Sequence, residues 1–98
     1  AVNIHLGSAG CTGNPMTGPV NCAEPNRPEI TLTGFDPSQN VVVADLARLL
    51  ATTDVSRDQG GAPGCMGSAS DPECRTIFPA FGIPVGGAAA AQSFLRVR

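Results

Sequence analysis

The residues in this chain whose side chains are most capable of chemistry are four cysteines, arranged in two short-range pairs. Ten residues separate Cys11 from Cys22, and eight separate Cys65 from Cys74. Neither spacing is the C-x2-C of a zinc ribbon or of a redox-active dithiol. The spacing therefore predicts two local disulfides, which are typical of proteins outside the reducing cytosol. A structural zinc site built from all four thiols is the alternative.

His5 is the single histidine, and it lies where apolar and polar residues alternate from Val2 to Leu6. That period of two is typical of a half-buried strand, with His5 on the face opposite the apolar side chains. One interpretation is a solvated side chain, and the other is ligation of copper or another borderline metal. Met16 and Met66 offer soft thioethers, although both lie in loops beside cysteines, where packing is the competing role.

A second candidate site is acidic. Asp54, Ser56 and Asp58, followed by Gly60, have the spacing of an incomplete calcium-binding loop. In an EF-hand the glycine comes one position earlier and the twelfth residue is Glu, whereas here the twelfth residue is Cys65. An EF-hand is therefore excluded, and two interpretations stay open: an oxygen-ligand site of another kind, and a capped, solvated turn.

Motifs for catalysis are absent from the sequence. It contains no nucleophile elbow and no Gly-rich phosphate loop, and one histidine with scattered acids does not form a recognisable acid–base pair. Six arginines against eight acids give a net charge of −2 with no basic patch, which argues against nucleic-acid binding. We expect a protein that is not an enzyme, binds no nucleic acid and has no membrane span.

Composition limits the size of the core that can form. Twelve glycines and nine prolines in 98 residues imply that much of the chain is turn or loop. Each predicted disulfide closes a loop of about ten residues and is expected to contribute roughly 2–3 kcal/mol to stability. No signal peptide opens the sequence at Ala1, so we expect a mature form or a fragment of an exported protein.

The periodicity of apolar residues predicts a mainly β fold: a small disulfide-stapled β domain with two short helices and long loops. Strands are predicted at residues 2–6, 29–35, 40–44 and 93–97. Short helices are predicted at 45–51, capped by Asp45, and at 71–78, where Asp71 begins the helix and Pro79 limits it. The segments 7–28 and 52–70 are predicted to be long loops, each ordered by a cysteine pair.

Short sequence blocks along nearly the whole chain occur in the order found in a known family. They are His5-Leu6-Gly7-Ser8, Gly10-Cys11, Asn26-Arg27-Pro28, Leu32-Thr33-Gly34-Phe35-Asp36, Val42-Val43-Ala44-Asp45-Leu46, Gly64-Cys65-Met66-Gly67, Asp71-Pro72-Glu73-Cys74 and Ile77-Phe78. Together these blocks resemble the C-terminal half of the four-Cys metallo-mystery pair proteins.

That resemblance implies a periplasmic or secreted copper-binding protein encoded with methanobactin genes. It also implies a partner, a dihaem peroxidase-like enzyme that oxidises a tryptophan to kynurenine near a histidine-rich copper site. Members of the family are longer, and their Trp-containing half would precede Ala1. Residues 1–98 would then be a single domain, the C-terminal part of a longer β-sandwich. His5 would ligate copper, with the other ligands supplied by a missing N-terminal segment or a companion chain.

Two functions follow as hypotheses. The first is an exported copper-binding protein that handles metal in copper homeostasis, of which this chain is the C-terminal part. The second is a disulfide-rich extracellular protein-binding module without metal, in which the long loops form the recognition surface.

Overall fold

The computed structural model describes residues 2–98, in which four short strands form two separate antiparallel pairs. The elements are β1 (Ala9–Thr12), β2 (Asn21–Glu24), β3 (Val42–Ala44), α1 (Leu46–Leu49), α2 (Cys74–Ile77) and β4 (Leu95–Val97). A 3₁₀ helix, Phe78–Phe81, directly follows α2. Strand β1 pairs with β2, and β3 pairs with β4. The predicted fold class is confirmed: a small β-rich domain with two short helices and two disulfides.

The connection from β3 into α1 depends on Asp45. Its Oδ1 accepts a hydrogen bond from the backbone N–H of Arg48 at 3.1 Å, which caps the helix. Its Oδ2 faces the Nε of Arg96 on β4 at 3.4 Å. The Arg48 backbone hydrogen bond, more than the Arg96 contact, holds the pKa of Asp45 below its usual value. The strands predicted at 40–44 and 93–97 and the helix predicted at 45–51 are confirmed, with shorter bounds.

The hydrophobic core surrounds α2 and the 3₁₀ helix. Its buried members are Leu49, Cys65, Cys74, Ile77, Phe78, Ala80, Phe81 and Ile83. The ring of Phe94 meets that of Phe81 edge-on at 4.8 Å between centroids and so attaches the end of the chain to this core. The helix predicted at 71–78 is present with shorter bounds: it begins at Cys74 and not at Asp71, whose Oδ1 accepts the N–H of Glu73 in the preceding turn. It ends at Ile77 as Pro79 predicts, and the chain then continues as the 3₁₀ helix. No helix in residues 2–98 is long and apolar enough to cross a membrane.

The prediction that 7–28 is all loop is wrong, because β1 and β2 form a hairpin in it. Cys11 and Cys22 lie opposite each other in the register of this pair. The abundance of Gly, Pro and Asn concealed the strands, since these residues are depleted from strands in general. Ten intervening residues nevertheless suit a hairpin that a disulfide closes.

The strands predicted at 2–6 and 29–35 are corrected by the structure. Within 2–6, Ile4 forms only an isolated parallel bridge to Cys65. Within 29–35 there is no strand, although Ile30 and Leu32 are half-buried between exposed neighbours, as the alternation predicts. A period of two predicts which side chains are buried. A β-strand also requires backbone hydrogen bonds to a neighbouring strand, which the period does not predict.

Both predicted disulfides form, Cys11–Cys22 and Cys65–Cys74, and they occupy all four thiols. The zinc alternative is therefore wrong, since zinc binds thiolates. Their environments differ strongly. Cys65 and Cys74 are 0% exposed and lie inside the core, whereas Cys11 is exposed on the hairpin.

We predict that the two disulfides contribute unequally to stability. Their sequence separations, 11 and 9, are so similar that chain entropy assigns each about 3 kcal/mol. Replacing Cys65 and Cys74 together by Ala should cost about 1–2 kcal/mol more than replacing Cys11 and Cys22, because it also removes buried core atoms. Chemical denaturation of the two double variants measures the difference, and equal losses would contradict the prediction.

Candidate functional site

His5 is exposed on a backbone segment that is attached to the core. Ile4 and Leu6, on either side of it, are half-buried and pack against the core, as the alternation predicts. The His5 N–H donates to the carbonyl of Cys65 at 2.8 Å, and the Cys65 N–H donates to the carbonyl of Asn3 at 2.9 Å. The imidazole is therefore open to solvent while its backbone is fixed to a buried disulfide.

Met66 is a neighbour of His5 that sequence reasoning did not identify. The parallel bridge pairs Ile4 with Cys65, so the next residues along each segment, His5 and Met66, lie beside one another. Both are exposed, Met66 at 40%. The structure thus brings an imidazole and a thioether to one region of the surface, a combination of ligands suited to copper. Met16, 89% exposed, lies between β1 and β2.

Asn26 connects three segments around this region. Its Nδ2 donates to the carbonyl of Gly7 at 2.9 Å and also to the carbonyl of Gly67. The hydroxyl of Ser8 donates to the carbonyl of Pro25 at 2.7 Å, which ties the same two segments together. Asn26 adopts a φ of +49°, a left-handed conformation that Asn tolerates better than most residues.

The loop that contains Cys65 is held from both sides. The carboxylate of Glu24 accepts the N–H of Ala69 at 2.6 Å and the hydroxyl of Ser68 at 3.1 Å. On the other side, Gly64 has a φ of +85°, and a Cβ there would lie 2.1 Å from the carbonyl oxygen of Asn3. Only glycine permits the two backbones to come this close.

These residues alone do not complete a metal centre. Within residues 2–98, no three side chains of His, Cys, Asp or Glu converge as a metal-binding group. His5 supplies one imidazole, and the disulfides remove the thiols. A copper ion bound at His5 would therefore need ligands beyond this set.

The acidic segment identified in the sequence forms local turns. Asp54 Oδ1 accepts hydrogen bonds from the hydroxyl and N–H of Ser56, and its Oδ2 contacts the Nε of Arg57 at 3.0 Å. The hydrogen bonds from Ser56, with a smaller contribution from the Arg57 charge, hold the pKa of Asp54 below its usual value. Asp58 Oδ1 accepts the N–H of Gly60 at 3.0 Å. The capped-turn interpretation is therefore correct for the hydrogen bonds to Asp54 Oδ1 and Asp58 Oδ1. The second carboxylate oxygen of each residue takes no part in these hydrogen bonds.

We predict that Asn26→Gly loosens the segment that presents His5. The change relieves the left-handed backbone conformation but removes both Nδ2 hydrogen bonds, so a net loss of about 1 kcal/mol is expected. Amide hydrogen exchange should accelerate at His5 relative to Ile77 in the core. An unchanged ratio of the two rates would show that Asn26 does not hold this segment.

A comparison with solved structures finds a protein that is similar to this chain in both fold and sequence. The solved structure of MbnP from Methylosinus trichosporium superposes on this chain with a TM-score of 0.81 and 36% sequence identity, covering 96% of this chain. No family model matches the chain, and no curated protein sequence does. The chain spans only 37% of the length of that MbnP chain.

Identity at this level across nearly the whole chain exceeds what a shared fold alone requires. The chain is therefore similar, in sequence as well as structure, to just over a third of MbnP, a likeness that supports an MbnP-like family.

Proposed function

We propose that this chain is the C-terminal part of an exported, MbnP-like protein that binds and handles copper rather than turning over a substrate. The main support is the 36% identity to MbnP over 96% of the chain. Two disulfides favour an extracellular or periplasmic location. The proposed partner is the dihaem peroxidase-like enzyme that the family resemblance implies.

In this proposal, His5 is one ligand of the copper cargo. Imidazole is a natural copper ligand, and the His5 backbone is fixed by its bond to the buried Cys65. Met66, beside it, offers a thioether that favours Cu(I). The other ligands come from sequence outside this chain, because residues 2–98 hold no further imidazole.

The surface of the β3–β4 sheet supports the proposal that more sequence packs here. Alternation places Val42 and Ala44 of β3 on one face with Leu95 and Val97 of β4. This apolar face is not covered within residues 2–98: Val42 is 49% exposed, and nearby Leu46 is 64% exposed. We propose that a second sheet, contributed by the rest of a longer protein, covers this face as in a β-sandwich.

Among the described residues 2–98, one edge of β3 also has no partner strand. The N–H of Val41 donates to the carbonyl of Arg98, and the N–H of Arg98 donates back to the carbonyl of Val41. Hydrogen-bonded and non-bonded pairs alternate in an antiparallel sheet, so the amides of Val42 and Ala44 point away from β4. A further strand can pair with these groups.

We predict that His5→Ala in the complete protein weakens copper binding by about ten-fold or more without preventing folding. The exposed side chain contributes nothing to the core, so its loss should be confined to the metal site. Competition titration with a copper chelator measures the affinity, with circular dichroism as the folding check. Met16→Leu is the matched control, since it removes an exposed thioether from the β1–β2 hairpin.

An unchanged copper affinity in the His5→Ala protein would show that His5 is a solvated side chain and not a copper ligand.

The isolated 98-residue chain should bind copper weakly, because one imidazole and one thioether leave most of the coordination sphere open. A tight copper complex of the isolated chain would contradict the proposal that outside ligands complete the site. Binding of a protein partner without any metal would favour the metal-free module instead.

We predict that Val42→Thr destabilises the complete protein by about 1–2 kcal/mol, because a hydroxyl would then be buried under the second sheet. In the isolated chain the same change should be nearly neutral, since the side chain is half exposed there. Val20→Thr, at a site 41% exposed, is the matched control. Equal effects of Val42→Thr in both contexts, measured by chemical denaturation, would show that nothing covers this face.

A further inference from the structure

A cavity of about 240 Å³ lies between the 53–58 segment and the start of α2, and it contains an unusual carboxylate. Glu73 lines this cavity and is only 4% exposed. Its Oε1 accepts the N–H of Gln59 at 2.6 Å. Its Oε2 is buried and has no hydrogen-bond partner among residues 2–98. Burial of a carboxylate oxygen without a partner is costly, so native structures normally supply one.

The charged side chains that line this cavity do not supply a partner for Glu73 Oε2. Asp54, Asp58 and Glu73 line it together with one cationic side chain, Arg57. The guanidinium of Arg57 contacts Asp54 at 3.0 Å and is largely exposed. The cavity therefore has an excess of negative charge, and no ion pair within residues 2–98 neutralises the buried oxygen of Glu73.

The walls of the cavity are anchored rather than free. The hydroxyls of Thr53 and Thr76 are 2.8 Å apart, which joins the loop to α2. The N–H of Gln59, bound to Glu73, fixes the other end of the same loop. These two contacts fix the loop to α2 and to Glu73, beside the buried Oε2.

We propose that this cavity binds a hard divalent cation, Ca²⁺, with Glu73 Oε2 as a direct ligand and the carboxylate of Asp58 as a second contributor. Three acidic side chains do not converge closely enough to form the site alone. Backbone carbonyls, hydroxyls and water complete the shell, a mixture that Ca²⁺ accepts with six to eight oxygens and that Mg²⁺ accepts less readily. This site is independent of the copper proposal, since it uses neither His5 nor a thioether.

Calorimetric titration of the copper-free, chelator-treated complete protein with CaCl₂ tests this site. Saturable binding is expected with Kd about 0.1–1 mM, the range of extracellular calcium modules, and 10 mM Ca²⁺ should raise the Tm of the complete protein by about 3–11 °C. Glu73→Gln should weaken binding by about ten-fold or more while it keeps an oxygen acceptor for Gln59. Asp36→Asn is the matched control for the Asp58→Asn variant, because Asp36 accepts the N–H of Ser38 two residues on, as Asp58 accepts that of Gly60, and Asp36 lies away from this cavity.

Asp58→Asn provides a second test that does not depend on a buried position, and it should also weaken calcium binding. The control Asp36→Asn should bind Ca²⁺ like the unaltered protein. Absence of saturable Ca²⁺ binding would overturn the proposal and leave water as the occupant of the cavity. An unchanged Kd for Ca²⁺ in both the Glu73→Gln and the Asp58→Asn variants would also overturn the proposal. Mg²⁺ binding as tight as Ca²⁺ binding would overturn the assignment of calcium.

Discussion

The Cys65–Cys74 disulfide is the constraint on which the rest of this structure depends. Both cysteines are fully buried, and Cys74 begins α2, which leads into the helical turn that supplies much of the core. Cys65 exchanges backbone hydrogen bonds with the segment around His5. The disulfide therefore joins the long 52–70 loop to the core, and the backbone hydrogen bonds of Cys65 attach the N-terminal segment to it. In a chain with so little regular structure, a covalent link of this kind replaces much of what a larger apolar core provides.

The buried core and the uncovered β3–β4 sheet make the molecule asymmetric. The core lies around α2 and the 3₁₀ helix, whereas the β3–β4 sheet presents valine and leucine side chains without a cover in residues 2–98. A small chain cannot bury both faces of such a sheet. The 37% share of MbnP that this chain spans and the uncovered sheet agree with the same proposal, in which further sequence packs on β3 and β4.

The acidic residues divide into two physical groups. Asp36, Asp45 and Asp54 bond to nearby backbone and hydroxyl groups within two or three residues, which stabilises turns and a helix end and lowers their pKa values. Glu73 differs because it is buried and only half satisfied. Local hydrogen bonds, together with the contact of Asp45 to Arg96, account for the first group, while the position of Glu73 requires either a ligand or ordered water.

Sequence alone determined the features that depend on short-range spacing: both disulfides, the Asp45 cap with its helix, and the strands that became β3 and β4. Alternation at Ile30 and Leu32 gave the correct side-chain burial but the wrong element, because no strand within residues 2–98 pairs with that segment. Only the tertiary structure decided the β1–β2 hairpin, the position of Met66 beside His5 and the burial of Glu73. The hairpin is local and is closed by Cys11–Cys22, but its Gly, Pro and Asn residues gave no strand pattern in the sequence. The other two features depend on the tertiary contacts around the Cys65–Cys74 disulfide, which no local preference predicts.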